Sequence, residues 1–487
     1  MRRSTQLLRA GAGAALLLAA LLGANCSVNP ATGRRQLALL GEAQEIELGR
    51  DADREITASL GLYGDEETQR YVEQVGRPLA AVSERPELPW QFRVVDDPVV
   101  NAFALPGGFV YVTRGILAHF SSEAELASVL GHEIGHVTAR HSVERISKTQ
   151  LATLGLGVAM IASREARQFG DLAQVGLGLL FLKFSRDDER QADDLGLRYT
   201  ARGGYDPREM PKVFATLERV SAAAGGRVPD WLATHPTPED RNQRLSAQIA
   251  ALPPEQRQGK VERDGYLRRL EGLTFGPDPR EGFFQGSVFY HPAMAFRLEF
   301  PSGWTLRNLK QAVVALSPRE DAAVVLTLAS ESSPEAAARQ FFGQPGIEQG
   351  TEWRRGLYHF RTVPQAGGGK RELRGIAGFF AHQGRVFHLR GLSVAEAWRD
   401  SQNPIADSLG SFARLTDRRY LDVRPAKLTI VPLAQSMTLA EFVRRHPSTA
   451  DLETLAILNG VRPDEPLPAG RLVKRVGGGE LPAAPPR

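Results

Sequence analysis

His132-Glu133-Ile134-Gly135-His136 lies within the largely apolar stretch Val129 to Val137. At about 100° per residue, positions four apart on a helix sit only about 40° off one face. Both imidazoles can therefore reach a single metal ion at about 2.0–2.1 Å. Glu133 is too close in sequence to join them as a ligand. It points instead toward a water at the metal's open position, where a carboxylate can accept a proton. Val129, Leu130 and Val137 make the helix half-buried, and Gly135 leaves room for close approach of another element or a substrate. Two histidines do not complete a metal site. The one cysteine of the chain, Cys26, sits near the N-terminus, so the third ligand is expected to be His, Asp or Glu.

A third ligand is available downstream, in Ser185-Arg186-Asp187-Asp188-Glu189-Arg190-Gln191-Ala192-Asp193-Asp194-Leu195-Gly196. Glu189 and Asp193 are again four apart on an expected helix. Spacing alone leaves two readings open: a solvated acidic face, or one ligand beside one acceptor that orients a histidine. Upstream, Ser121 or Ser122 is positioned to cap a helix whose first turn carries Glu123 and Glu125. Glu42 to Leu60 and Glu66 to Val82 have helical apolar spacing, whereas Gln91 to Val95 and Gly108 to Thr113 favour extended backbone. Two apolar stretches, Leu151 to Ala162 and Ala173 to Phe184, are each too short to span a bilayer and are read as buried core helices rather than a membrane-dipping hairpin. The polar segment between them, Ser163 to Asp171, leaves open whether it is a mobile lid, which its polar character permits.

His132 to His136, followed by Val137-Thr138-Ala139-Arg140-His141-Ser142, resembles the HtpX-like and BepA-like zinc metallopeptidases, gluzincins related to the CAAX prenyl protease. The third ligand of that family is the glutamate of a Glu-x-x-Ala-Asp-x-x-Gly segment, here Glu189 to Gly196. The resemblance thus implies one Zn2+ per chain on His132, His136 and Glu189, with Asp193 bonded to a ligand and Glu133 as the base. Asn101-Ala102-Phe103-Ala104-Leu105-Pro106-Gly107-Gly108 is similar to the family's edge strand beside the cleft. That makes Asn101, Ala102 and Phe103 the expected substrate-binding positions. His235-Pro236 with Arg241 resembles a further family element near the metal; the resemblance implies that His235 either stabilises an oxyanion or acts as a reversible fourth ligand. His141 is read as structural. The four blocks follow the family's order and cover Gly41 to Leu252, about half of the chain.

At 487 residues the chain calls for several domains. With 42% hydrophobic and 24% charged residues it is neither disordered nor a multi-span membrane protein. Its 60 basic and 56 acidic residues give a net charge of +4, too weak an excess for a dedicated nucleic-acid binder. Arg2, Arg3 and Arg9 precede the apolar run Ala10 to Leu22, the pattern of an export signal. Cys26 just beyond it resembles a bacterial lipoprotein cysteine, although Asn25 stands where that signal usually has Gly, Ala or Ser. Residues 1–26 are therefore read as a signal peptide ending at a lipobox-like cysteine, with the mature protein in the periplasm and lipid-anchored through Cys26.

The expected architecture is multidomain α+β. It comprises a mainly helical metallopeptidase domain with a small sheet (27–275), an antiparallel sheet-rich domain (285–416), a small βααβ unit (424–476) and a disordered tail (477–487). Within 285–416, alternation such as Phe296, Leu298 and Phe300 against Arg297 and Glu299 marks strands, with helices at Ser333 to Phe342 and Val394 to Leu409. His359, His382 and His388 are read there as exposed. Leu452 to Gly460 with Leu467-Pro468-Ala469-Gly470 resembles the LysM carbohydrate-binding module, without the Gly-Asp pair that usually precedes its first helix.

Together these readings lead to a zinc endopeptidase acting on misfolded or misassembled envelope proteins, working beside the outer-membrane assembly machinery and reaching peptidoglycan through the LysM-like unit. The alternative is a periplasmic chaperone or assembly factor whose protease site is latent. A peptidoglycan hydrolase fits less well, because zinc enzymes that cut wall peptides use other His/Asp spacings.

Overall fold

Two short antiparallel strands, β1 (Cys26–Val28) and β2 (Arg35–Leu37), lead into helices α1 (Glu42–Leu60) and α2 (Glu66–Ala81). A three-stranded sheet follows, built from β3 (Gln91–Val95), β4 (Ala102–Leu105) and β5 (Phe109–Thr113). Its order is β3-β5-β4; β3 runs parallel to β5, and β4 pairs antiparallel at the other edge, Ala102 opposite Val112 and Phe103 opposite Tyr111. All five residues of β5 are buried, which explains its unbroken run Phe-Val-Tyr-Val-Thr. Then come α3 (Arg114–His119), α4 (Glu123–Thr138), α5 (His141–Gly155), α6 (Arg186–Arg202), α7 (Met210–Ala223), α8 (Arg241–Ala251), α9 (Arg263–Arg269) and the short strand β6 (Thr274–Phe275). The computed structural model describes residues 26–155, 183–223, 231, 235, 240–354, 356–362 and 372–483. The run Ala10 to Leu22, the segment Ser163 to Asp171 and most of the two apolar stretches beside it lie outside those residues. Among the described residues no helix is long and apolar enough to cross a membrane.

Residues 277–426 with 478–487 make a second unit. Its main sheet has seven antiparallel strands in the order β10-β11-β12-β16-β15-β14-β13, and a four-stranded sheet runs β17-β9-β8-β7. In chain order these are β7 (Phe283–Gln285), β8 (Val288–His291), β9 (Phe296–Glu299), β10 (Thr305–Asn308), β11 (Ala312–Leu316), β12 (Ala322–Leu328), α10 (Pro334–Phe342), β13 (Ile347–Arg354), β14 (Leu357–Thr362), β15 (Leu373–His382), β16 (Arg385–Val394), α11 (Trp398–Gly410), β17 (Ala413–Arg414) and α12 (Arg418–Leu421). Phe289, Phe296, Leu298, Phe387, Leu389 and Ile405 centre its core.

Three expectations need correction here. The second helix starts at Trp398 rather than Val394, because Val394 still pairs with Leu373 as the last residue of β16. His359, His382 and His388 are not exposed. His388 stacks on Phe379 at 4.5 Å, and His382 Nε2 lies 3.0 Å from the Met294 carbonyl. The tail begins after Gly477 rather than at it, because Gly477 is the last residue of β21 and pairs with Lys427; residues 484–487 lie outside those described.

The chain then returns to the first unit, which unites residues 1–276 with 427–477. There β18 (Ala426–Pro432), β19 (Met437–Thr438), α13 (Leu439–Arg445), α14 (Leu452–Leu458), β20 (Pro466–Leu467) and β21 (Leu472–Gly477) form the expected strand–helix–helix–strand pattern. They do not stand apart: β18 pairs with both β21 and β6. The ammonium of Lys474 is buried and donates to the carbonyls of Ala118, Phe120 and Leu458 at 2.8, 2.5 and 2.7 Å. Two of those carbonyls belong to the C-terminal end of α3, which leads into α4. A buried charge is tolerated only when its donors are satisfied, so this ammonium ties the C-terminal segment to the base of α4.

Candidate metal centre

α4 begins where the Ser122 hydroxyl accepts the Glu125 amide at 3.2 Å, and it carries His132, Glu133 and His136 through the middle of the unit. α6 begins with a reciprocal cap between Ser185 and Asp188 and carries Glu189 and Asp193. The two helices cross on glycine. A Cβ on Gly135 would lie 3.0 Å from the Ala192 carbonyl, and one on Gly196 would lie 2.8 Å from the His132 nitrogen. The partner that Gly135 leaves room for is α6, and this close crossing brings Glu189 up to the two histidines.

Four side chains converge: ligand atoms of His132, His136, Glu189 and His235 all lie within 4.8 Å of one another, and all four residues are buried. His132 Nε2 is 3.1 Å from His136 Nε2 and 3.5 Å from both His235 Nδ1 and Glu189 Oε2. Glu189 Oε1 is 3.5 Å from His136 Nε2 and 3.0 Å from His235 Nδ1. Tetrahedral ligands at about 2.0–2.1 Å from one ion would be separated by roughly 3.3 Å, so the spacing fits a zinc-sized cation. Three nitrogens and a carboxylate are also donors of the right kind. Glu189 Oε2 and both oxygens of Glu133 are buried without a hydrogen-bond partner, a costly arrangement that a bound cation and a water would relieve.

Surrounding groups set the protonation of the metal-free cluster, in which a cation would have to displace the second proton of His132. Burial alone would raise the Glu189 pKa, but His235, His132 and His136 hold it well below the usual carboxylate range, so it is anionic. Burial pushes the His136 pKa well down, which leaves that ring neutral. Burial opposes a charge on His132 as well, yet Asp193 and Glu189 outweigh it and raise its pKa to about 9. Asp193 Oδ1 lies 3.1 Å from His132 Nδ1 and turns Nε2 toward the cluster. Arg241 donates to both Asp193 oxygens, Nε to Oδ2 at 3.0 Å and Nη2 to Oδ1 at 2.5 Å, while its guanidinium lies 3.6 Å from the centroid of the Phe214 ring.

The sequence-derived positions can now be placed. His132, His136 and Glu189 meet, Asp193 and Arg241 stand behind them, and His235 lies within the same cluster. The His235 ring stacks on Trp231 at 4.9 Å, and its Nε2 lies 3.7 Å from Glu133 Oε1. Ala102 and Phe103 are on β4, the sheet edge that packs against α4. The Phe103 ring, however, turns away into the core and stacks on Tyr111 at 4.7 Å, so its side chain is committed to packing. Asn101 Oδ1 is buried without a partner.

Sequence reasoning missed three groups. Arg85, Glu45 and Arg140 form a buried network at the end of α4, with Glu45 bonded to both guanidiniums. Trp231 supplies the platform for His235. His141, read as structural, lies 2.9 Å from His136 through the two Nδ1 atoms.

Residues 66–249 match the model of peptidase family M48. That span contains every member of the cluster. Among curated proteins, the chain is 41% identical over 170 residues to the mitochondrial metalloendopeptidase OMA1 of Arabidopsis thaliana, covering 34% of this chain and 33% of that one. It is 33% identical over 222 residues to the OMA1 of Schizosaccharomyces pombe, 44% of this chain and 64% of that one. It is 32% identical over 222 residues to the beta-barrel assembly-enhancing protease of Yersinia pestis, 44% of this chain and 45% of that one. The chain thus spans between a third and two thirds of the length of these relatives. The family match, the relatives and the four-residue cluster together support a metalloendopeptidase.

Proposed function

We propose that the protein is a zinc-dependent endopeptidase of the bacterial cell envelope that cleaves misfolded or misassembled envelope proteins, with Cys26 as a lipid anchor on the periplasmic side. The observation that carries the catalytic part is Glu133: a buried carboxylate, both oxygens without a hydrogen bond, set between the two converging imidazoles in sequence. When bound at His132, His136 and Glu189, zinc supplies a Lewis acid that polarises a carbonyl and acidifies a water. Glu133 takes the proton of the attacking water and returns it to the leaving amine. Asp193 and Arg241 keep the His132 ring from turning. A substrate strand adds to β4 through its main chain, so unfolded segments are favoured over particular side chains. The relatives named as assembly-enhancing proteases support an envelope client, and the LysM-like pattern of β18 to β21 supports a role near the cell wall.

A second reading rests on His235. With Nδ1 among the ligands and Nε2 toward Glu133, its ring occupies the space an attacking water needs. In this reading the protein is a latent protease that serves as an assembly factor until His235 withdraws. Casein cleavage and zinc content of wild type, Glu133→Gln and His235→Ala separate the two. Glu133→Gln retains zinc and loses cleavage; cleavage at the wild-type rate would refute the base. A faster His235→Ala supports latency, whereas a slower one makes His235 part of catalysis.

A further inference from the structure

His141 and Gln191 lie outside the reaction proposed above, yet they are joined to it. α4 ends at Thr138, and Arg140 turns the chain through a left-handed conformation (φ 58°), which a residue with a Cβ adopts only when held there. It is held: Arg140 Nε donates to Glu45 at 2.9 Å and Nη2 to the Leu40 carbonyl at 2.7 Å. This corner starts α5 at His141 and sets that buried ring directly behind His136. His141 Nδ1 is 2.9 Å from His136 Nδ1, and His141 Nε2 is 2.8 Å from Gln191 Oε1. Asp188, the nearest carboxylate to that Nε2, is 3.9 Å away, too far to accept.

If His136 is to bind metal through Nε2, these contacts have one consistent proton arrangement. The Gln191 oxygen accepts, so His141 carries its proton on Nε2 and leaves Nδ1 bare. The bare Nδ1 accepts in turn from Nδ1–H of His136, which leaves Nε2 of His136 as a lone pair aimed at His132 and Glu189. Were the Gln191 amide reversed, the chain would run the other way and place a proton on the atom that must bind metal. We infer that His141 and Gln191 are positioning residues, a His136–His141–Gln191 relay that fixes the metal-binding tautomer of His136 as Asp193 does for His132. α6 thereby supplies the ligand Glu189 and, two and four residues on, the groups that orient both histidine ligands. This rests on the metalloendopeptidase reading.

The test uses the full chain, stripped of metal, with Zn2+ as the probe in competition with a chromophoric chelator, and with Co2+ absorption as a report on coordination. Gln191→Met and His141→Phe each remove an acceptor and should weaken zinc binding about 10- to 100-fold. Thermal unfolding of metal-free Gln191→Met should stay close to that of wild type. Gln191→Glu, which keeps an acceptor at the same reach, should bind at least as tightly as wild type. Gln191 is only half-buried, so Gln191→Met decides the matter should His141→Phe fail to fold. Unchanged zinc affinity in Gln191→Met, or a loss that Gln191→Glu does not restore, overturns the relay alone. A wild-type chain that takes up no zinc overturns the metallopeptidase reading and the relay with it.

Discussion

Gly196→Ala tests whether the active cluster depends on how closely α4 and α6 cross. The added methyl would meet His132 N at 2.8 Å and His132 Cα at 2.9 Å, both backbone atoms that cannot rotate away. Restoring ordinary contact requires the helices to part by about 0.5 Å. In an open helix the same change would gain about 1 kcal/mol through propensity. Here overpacking of about 1–3 kcal/mol opposes it, so the net effect on stability is small or moderately unfavourable. The larger effect falls on geometry, because Glu189 rides on α6 and the two histidines on α4. If a 1 Å misplacement costs about 100-fold in rate, half that distance predicts roughly a tenfold loss in kcat/KM. Zinc affinity should fall in parallel. The assay is cleavage of a quenched fluorescent peptide beside a thermal melt, with Gly265→Ala as the control. That glycine lies in α9, and a Cβ there meets only the far end of the Glu262 side chain, at 3.4 Å. Wild-type kcat/KM and zinc affinity in Gly196→Ala would refute the reasoning, because the crossing would then have slack to spare.

Two further perturbations address the rest of the first unit. Lys474→Met removes the ammonium and strands the carbonyls of Ala118, Phe120 and Leu458, so urea unfolding should report a loss of about 3 kcal/mol or more; an unchanged midpoint would mean that the C-terminal segment does not brace α4. Burial holds the His119 pKa at about 4, below the ordinary value of 6.5, despite its bond to the Gly115 carbonyl. The unfolded chain therefore takes up this proton first as pH falls, and stability is lost between pH 6.5 and about 4. His119→Asn should lose less stability than wild type over that window, and parallel curves would contradict the assignment.

Much of the centre could be read in advance because its determinants are local. Two histidines four apart, a capping serine and an acidic pair four apart all follow from helical geometry. The strand Gln91–Val95 and the helix pair of the C-terminal segment were legible for the same reason. His141 was not. It follows His136 by five residues across a helix break, where no periodicity predicts that two rings will meet. Its position depends on a left-handed Arg140 held by Glu45, 95 residues away in sequence. Gln191 was hidden among acidic neighbours on a helix that reads as solvated. The place of Lys474 was equally unreadable, since strand alternation says which face is buried but not which distant element covers it.

The first unit is discontinuous in sequence: its last strand, β21, ends at Gly477, after residues 277–426 of the second unit. On a ribosome that emits the N-terminal part first, the support under α4 emerges only after residues 277–426 have been made. A nascent or prematurely terminated chain would carry the hydrolytic residues without the brace that seats their helix. Seating of the hydrolytic helix thus waits on a strand encoded about 340 residues downstream of it.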